Sequence, residues 1–103
     1  MRTLMRVSLP VETANAAAKA GTLGSTINEL VTAMKPEAAY FYADDEGRRS
    51  GSIVFDLKDP SDIPAVTEPW FIAFNAKVSL RPGMTPEDLG KAGSTIDSAA
   101  KRY

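Results

Sequence analysis

The chain has 103 residues, 12 of them basic and 13 acidic, which gives a net charge of −1 and a pI of about 5.3. This near-even charge balance argues against a nucleic-acid partner, because proteins that bind nucleic acid usually carry a basic excess or stripe. The chain has no cysteine, which excludes disulfides, thiolate sites and iron–sulfur clusters. It also has no histidine, the usual nitrogen ligand of zinc and haem iron. We therefore expect neither a metal nor a cofactor.

The N-terminal segment predicts a strand. Polar and apolar side chains alternate over residues 3–9, and Arg2 and Arg6 interrupt the segment where a signal peptide would need an unbroken apolar run. No other apolar run approaches the ~20 residues that span a membrane. We therefore expect a soluble cytoplasmic protein with no membrane partner.

After Pro10, small and apolar residues recur at alternating spacings of four and three, which predicts one long helix with the stripe Ala16, Ala20, Leu23, Ile27, Leu30 and Met34. Gly21 and Gly24 either kink this helix or let it pack closely on a sheet. Pro36 ends it. Residues 38–44 and 52–57 then alternate as two strands, and the turn between them at Gly47 predicts a hairpin.

Residues 61–74 again keep helical spacing. Ser61 is the predicted N-cap, and Pro69 is expected to kink or split the helix. The alternation over residues 76–81 predicts a fourth strand.

The segment TPEDL predicts the start of a last helix over residues 85–103. Thr85 is its predicted N-cap, Pro86 its first residue, and Asp88 the partner that reaches back in a capping box. The apolar stripe of this helix is Leu89, Ala92, Ile96, Ala99 and Tyr103. Such a stripe suits a helix that covers its own subunit and equally one that reaches across to a partner.

The predicted order of elements is strand, helix, strand, strand, helix, strand and an extra helix. This is the split βαββαβ arrangement of ferredoxin-like folds. We therefore predict an α+β fold in one domain over residues 1–103, with an antiparallel four-stranded sheet in the core at residues 1–82 and the C-terminal helix at residues 85–103.

Strand parity separates two faces of the predicted sheet. One face is apolar throughout and has two amphipathic helices available to cover it: Met5, Val7, Leu9, Ala39, Phe41, Ile53, Phe55, Leu57, Val78 and Leu80. The other face, which we call the mixed face, carries Leu4, Arg6, Tyr40, Tyr42, Val54, Asp56, Lys77, Ser79 and Arg81. We expect Phe41 to point into the core, and Tyr40 and Tyr42 to point toward a partner or a ligand.

Four segments carry a resemblance to a known superfamily: KPEAAYF at residues 35–41, SDIPAVTEPWF at 61–71, FNAKV at 74–78 and MTPEDL at 84–89. They resemble those of a group of small bacterial proteins without an assigned activity among the dimeric α/β barrels, and the resemblance covers essentially the whole chain. In that superfamily two ferredoxin-like sheets close face to face into a barrel. The resemblance therefore implies a homodimer formed through the mixed face.

The superfamily includes cofactor-independent quinone-forming monooxygenases, muconolactone isomerases, haem-degrading enzymes, chlorite dismutases and non-enzymatic effector-binding modules, so the fold does not fix the function. Relatives that bind haem typically use a histidine, which this chain lacks. Enzymatic relatives often hold the substrate between the sheet and its own helices, with polar groups projecting there. Here that face is apolar throughout, which disfavours an enzyme.

The candidate ligand site lies on the mixed face. Arg6, Asp56 and Arg81, with Tyr40 and Tyr42, could bind an organic anion or orient a phenolic substrate, with Asp56 as the proton acceptor and the arginines stabilising an oxyanion. The alternative is that an arginine pairs with Asp56 and the tyrosines fill the barrel.

Three other features are interpreted structurally. Trp70, beside Glu68, is assigned to the core by its helical spacing. The cluster Asp44, Asp45 and Glu46 is interpreted as a solvated turn, because it lacks the ligand spacing of a calcium loop. The segments GTLGST and GKAGST lack the order of a phosphate-binding loop.

Two functional hypotheses of different class follow. The first is a homodimeric small-molecule-binding or structural module. The second is a cofactor-independent monooxygenase or isomerase that acts on a small aromatic or quinone-like substrate. An enclosed cavity that contains a titratable group would favour the enzyme.

Overall fold

The computed structural model describes residues 1–103. Its strands are β1 (Arg2–Ser8), β2 (Ala38–Ala43), β3 (Arg49–Asp56) and β4 (Lys77–Pro82). Its helices are α1 (Val11–Lys19), α2 (Leu23–Ala33), α3 (Ile63–Phe74), α4 (Pro86–Lys91) and α5 (Gly93–Arg102), and a 3₁₀ turn at Pro60–Asp62 precedes α3. None of these helices has the length and hydropathy that crossing a lipid bilayer requires.

The four strands form one antiparallel sheet in the order β2-β3-β1-β4. β1 and β3 therefore lie in the centre, and β2 and β4 are the two edges. This order, with α1 and α2 between the first two strands and α3 between the last two, confirms the predicted ferredoxin-like α+β fold.

The core lies between the apolar face of the sheet, which we call the core face, and the helices. Its largest fully buried side chains come from β1, β3 and α3, and are Met5, Val7, Ile53, Trp70 and Phe74. Each apolar side chain of this size contributes about 1.5–3 kcal/mol by leaving water. The stripe of α2 packs over them and stays partly exposed, through Leu23, Ile27, Leu30, Val31 and Met34.

The prediction of one long helix after Pro10 was wrong, because Gly21 ends α1. Gly21 has a φ of 77°, in the left-handed region that favours glycine. Its N–H donates to the carbonyl of Ala18 at 3.1 Å, and the N–H of Thr22 donates to that of Ala17 at 2.9 Å. These two bonds are the Schellman arrangement that closes a helix, so α2 starts afresh at Leu23.

The prediction of Ser61 as the N-cap was also wrong. The N-cap of the 3₁₀ turn is Asp59, whose carboxylate accepts from the Ser61 N–H at 2.8 Å, so Ser61 itself is not the cap. Pro69 lies inside α3 without splitting it. Trp70 and Phe74 follow Pro69 and are each 1% exposed, and their burial anchors the second half of the helix to the core.

The β2–β3 hairpin turns at Gly47, as predicted, with a φ of 74°. β3 begins at Arg49, three residues before the predicted start at Ser52. The difference matters for the site, because the earlier start adds Arg49 and Gly51 to the core face by parity with Ile53.

The C-terminal segment begins with the predicted capping box. The Asp88 N–H donates to Oγ1 of Thr85 at 3.1 Å, and the Thr85 N–H donates to Oδ2 of Asp88 at 3.1 Å. The predicted single helix is nevertheless divided at Ala92 into α4 and α5, in a stretch weakened by Gly90 and Gly93.

α5 stands away from the sheet, and its substantial contacts are with α4. The molecule is consequently elongated, with extents of 58 × 29 × 19 Å. The large side chains of the C-terminal stripe, Leu89, Ile96 and Tyr103, are exposed.

Candidate functional site

The strand register sets out the mixed face in rows that cross the sheet. The central row contains Tyr40, Ser52, Arg6 and Ser79, one from each strand. The row toward the start of β2 contains Ala38, Val54, Leu4 and Arg81, and the row toward its end contains Tyr42, Ser50, Ser8 and Lys77. No helix covers these rows, so Leu4 and Tyr40 are 46% and 69% exposed.

Arg6 does not meet Asp56 but turns toward the hairpin, where its Nη2 lies 3.3 Å from Oδ2 of Asp44. The same carboxylate accepts hydrogen bonds from the hydroxyls of Ser8 and Ser50 at 3.3 and 3.1 Å. The interpretation of Asp44 as part of a solvated turn was therefore wrong, since only 7% of its side chain is exposed.

The main chain adds two further donors to Asp44. The N–H groups of Glu46 and Arg48 each donate to Oδ1 at 3.0 Å. The Arg48 N–H is the main reason that the pKa of Asp44 lies below its ordinary value, and the bonds from Ser50, Glu46 and Ser8 lower it further against the opposing effect of burial. Asp44 is therefore a fully bonded anion that fixes the hairpin to the mixed face.

Asp56 lies at the far end of the mixed face, paired in the register with Arg2. Its Oδ1 is 2.6 Å from the amino group of Met1, and this hydrogen bond is the main cause that lowers the pKa of Asp56. β1 separates Asp56 from Arg81 on β4. Within one chain the structure therefore brings neither Arg6 nor Arg81 onto Asp56.

The remaining mixed-face candidates divide into two groups. Arg6 and Arg81 border a shallow depression of about 220 Å³, with Leu4, Val54 and Ser52 among its lining residues. The tyrosines lie outside it: the hydroxyl of Tyr42 is 2.6 Å from that of Ser52, and Tyr40 projects into solvent. The structure thus joins the two arginines on one surface and places the tyrosines beside it.

A larger cavity, of about 380 Å³, opens on the core face beside the edge strand β2. α2 lies on one side of it and the sheet on the other. Its lining is mostly apolar: Val7, Leu9, Gly24, Ile27, Phe41, Tyr42, Ala43, Arg49, Ser50 and Trp70. We call it the core-face cavity.

Phe41 forms a wall of the core-face cavity and is not a buried core residue. It points to the core face, as predicted, but 51% of it is exposed because no helix closes over the β2 edge. Its ring lies against Gly51 on β3, where a Cβ atom would come within 2.8 Å of the ring. Glycine at that position lets the ring lie close to the sheet.

Arg49 is the one charged side chain in the lining of the core-face cavity. Its Nη1 donates to Oδ1 of Asn15 on α1 at 2.8 Å, which holds the guanidinium beside the opening. The prediction that this face is apolar throughout was therefore wrong. Extending the alternation of β3 backward from Ile53 through Gly51 would have placed Arg49 there.

Trp70 lies at the inner end of the core-face cavity and is 1% exposed, so it belongs to the core and also to the cavity lining. Glu68, two residues earlier, is exposed. No group of three or more acidic side chains lies close enough together to hold a metal ion.

Neither protein-family models nor curated protein sequences match this chain. Among solved structures, the fold is similar to part of a formyltetrahydrofolate deformylase from Pseudomonas putida KT2440, with a TM-score of 0.50 at 12% sequence identity. The match covers 81% of this chain and 29% of that protein, so the chain spans under a third of its length. At this identity the likeness shows the fold alone.

Proposed function

We propose that the protein is a small-molecule-binding module whose ligand site is the core-face cavity. The observation that carries this proposal is the open, mostly apolar cavity of about 380 Å³ between α2 and the β2 edge. Sites for small molecules are typically concave, mostly apolar and about 300–1,000 Å³ in volume, with a few polar groups that orient the ligand. The cavity has each of these properties.

The lining indicates the chemistry of the ligand. Ile27, Phe41 and Trp70 offer apolar and aromatic surface, which suits a flat or aliphatic body. Arg49 at the opening supplies a permanent positive charge, which suits a carboxylate, sulfonate or enolate. A small apolar molecule with one anionic group fits both parts.

The alternative function, a cofactor-independent monooxygenase or isomerase, has less support. Proton abstraction needs a group that can accept a proton, and a guanidinium such as Arg49 cannot. The hydroxyl of Tyr42 is engaged with Ser52 on the mixed face. Binding without chemistry therefore agrees better with the lining of the cavity.

The first test uses Trp70, the only tryptophan of the chain, as a built-in reporter. The probe is 1-anilinonaphthalene-8-sulfonate, which carries apolar rings and a sulfonate. We expect saturable energy transfer from Trp70 to the probe at one site per chain. Replacing Arg49 by glutamine should weaken binding about 2- to 10-fold, because it removes one exposed charge contact. The control variant Arg48→Gln should not weaken binding.

A filling variant provides the matched control. Gly24 lines the cavity and has no atom within 4 Å of its Cβ position, so Gly24→Leu should occupy the opening without a clash. Gly90→Leu introduces the same side chain at an equally open helical position on α4. The proposal is supported if Gly24→Leu abolishes binding and Gly90→Leu preserves it. Equal binding by both variants contradicts it.

We also propose that two chains associate through the mixed face. Leu4, Tyr40 and Val54 give this face an apolar body, and Arg6 and Arg81 give it a polar rim, which is the composition of protein interfaces.

Native mass spectrometry tests this association. We expect a dimer for the natural chain and a monomer for Leu4→Asp, because an aspartate would be desolvated in the contact. Ile72→Asp is the control, since Ile72 is an exposed apolar residue on α3, 81% accessible and away from the mixed face. A monomeric natural chain, or dissociation by Ile72→Asp alone, would contradict the mixed-face contact.

A further inference from the structure

The two edges of the sheet differ in their protection against strand pairing. β4 carries Lys77, Arg81 and Pro82, the charges and proline that natural edge strands use to prevent pairing. β2 reads AAYFYA and contains no charge, proline or glycine. Its last four residues are all exposed, including Tyr40 at 69% and Phe41 at 51%.

The hydrogen bonds between β2 and β3 show which main-chain groups of β2 remain free to bond a further strand. The Asp44 N–H donates to the carbonyl of Arg48 on the β3 side at 3.0 Å, in register with the β2–β3 ladder. Main-chain groups alternate in direction along an antiparallel pair, so those of Ala39, Phe41 and Ala43 point outward, away from β3. A second strand can therefore bond to these three residues.

We propose that β2 pairs antiparallel with β2 of a second copy of this chain, about a two-fold axis at Tyr40. The outward-facing Phe41 then lies opposite the partner's Ala39, and the two residues exchange main-chain hydrogen bonds on each side of the axis. A large side chain meets a small one in this register, both for Phe41 against the partner's Ala39 and for Tyr42 against the partner's Ala38.

The neighbouring register would also satisfy the main-chain bonds. With the axis at Phe41, that residue would lie opposite the partner's Phe41, and Tyr42 would lie opposite the partner's Tyr40. The axis at Tyr40 differs from it by placing each of these two large side chains opposite an alanine.

The edge contact is separate from the proposed mixed-face contact, because it uses main-chain groups that lie in the plane of the sheet. The edge contact alone joins two sheets into one of eight strands. A six-residue strand pair is small, so we expect this contact to form only at protein concentrations above that of the native mass-spectrometry test of the mixed face.

Introduced cysteines test the edge pairing, because the chain has none of its own. With the axis at Tyr40, the two copies of that residue form a non-hydrogen-bonded pair with Cα atoms about 4.5 Å apart, which a disulfide can bridge. In Tyr42→Cys, on the same strand and the same face, the two thiols would be offset by four residues, about 13 Å. This offset exceeds what a disulfide spans.

We expect Tyr40→Cys to form a covalent dimer under mild copper–phenanthroline oxidation and Tyr42→Cys to remain a single chain on a non-reducing gel. Circular dichroism of each variant before oxidation verifies its fold. The edge pairing is overturned if Tyr40→Cys forms no covalent dimer. It is also overturned if both variants cross-link to the same extent, which is the result that a contact through the mixed face would give. Neither result bears on ligand binding in the core-face cavity.

Discussion

At the scale of single residues, Asp44 links three parts of the molecule. It is bonded to the turn that it begins, to β3 through Ser50, and to β1 through Ser8 and Arg6. Each of these bonds favours the ionised carboxylate. Protonation of Asp44 should therefore weaken the folded state.

The sign of this effect follows from the lowered pKa of Asp44. Because the pKa is lower in the folded than in the unfolded chain, the stabilisation is complete above the ordinary carboxyl pKa of about 3.9 and is lost as the pH falls through the folded value. We expect Asp44→Asn to lower the free energy of unfolding most above about pH 5, with the difference from the natural chain shrinking toward about pH 3. Urea unfolding of both chains at several pH values measures this difference in the free energy of unfolding.

The control for this prediction is Asp45→Asn, one residue along the same turn, where the side chain is exposed. A pH-independent difference between the natural chain and Asp44→Asn, or an equal effect of Asp45→Asn, would contradict the assigned role of Asp44.

Two residues show where prediction from sequence stops at this scale. Arg49 was within reach of the alternation rule, because it shares the parity of Ile53. Asp44 was not, because its hydroxyl partners Ser8 and Ser50 come from two different strands and become neighbours only when the sheet forms. An acidic residue in a turn has the same local sequence whether its carboxylate is solvated or buried.

At the scale of elements, side-chain spacing was sufficient to find the four strands, and the order of elements was sufficient for the fold, but neither revealed the helix breaks. The apolar stripe of α1 and α2 continues with spacings of three and four across Gly21, so the stripe alone cannot reveal the break. The division at Ala92 is hidden in the same way by the spacing of Leu89 and Ile96. In both places the main chain ends one helix and starts another, although the helical spacing of the apolar side chains continues without a break.

The contrast between β3 and α5 gives a prediction at this scale. Ile53 is 0% exposed on β3, and Ile96 is 53% exposed on α5. Ile53→Ala should lower the free energy of unfolding by about 2–5 kcal/mol, because it leaves a cavity in the core. Ile96→Ala should change it by less than about 0.5 kcal/mol, because the side chain has little packing to lose.

Chemical denaturation at low protein concentration measures both variants as separate chains. A loss for Ile96→Ala comparable to that for Ile53→Ala would show that α5 packs on its own domain, contrary to the structure.

At the scale of the whole molecule, the shape reflects the position of α5. The radius of gyration is 16.9 Å, whereas a compact chain of this length has about 13 Å. The sequence left open whether the C-terminal helix covers its own subunit, and α5 does not cover its own sheet. The fold could be predicted from the order of elements. The projection of α5 away from the sheet could not be predicted, because it depends on the direction in which α4 leaves β4.

The measurement that tests the core-face cavity most directly is amide NMR of the natural chain titrated with 1-anilinonaphthalene-8-sulfonate. We expect the shifted amides to cluster at Gly24, Ile27, Phe41 and Arg49, around the opening of the cavity. Shifts confined to Leu4, Arg6 and Arg81 on the mixed face, or spread along α5 without saturation, would contradict the cavity as the ligand site.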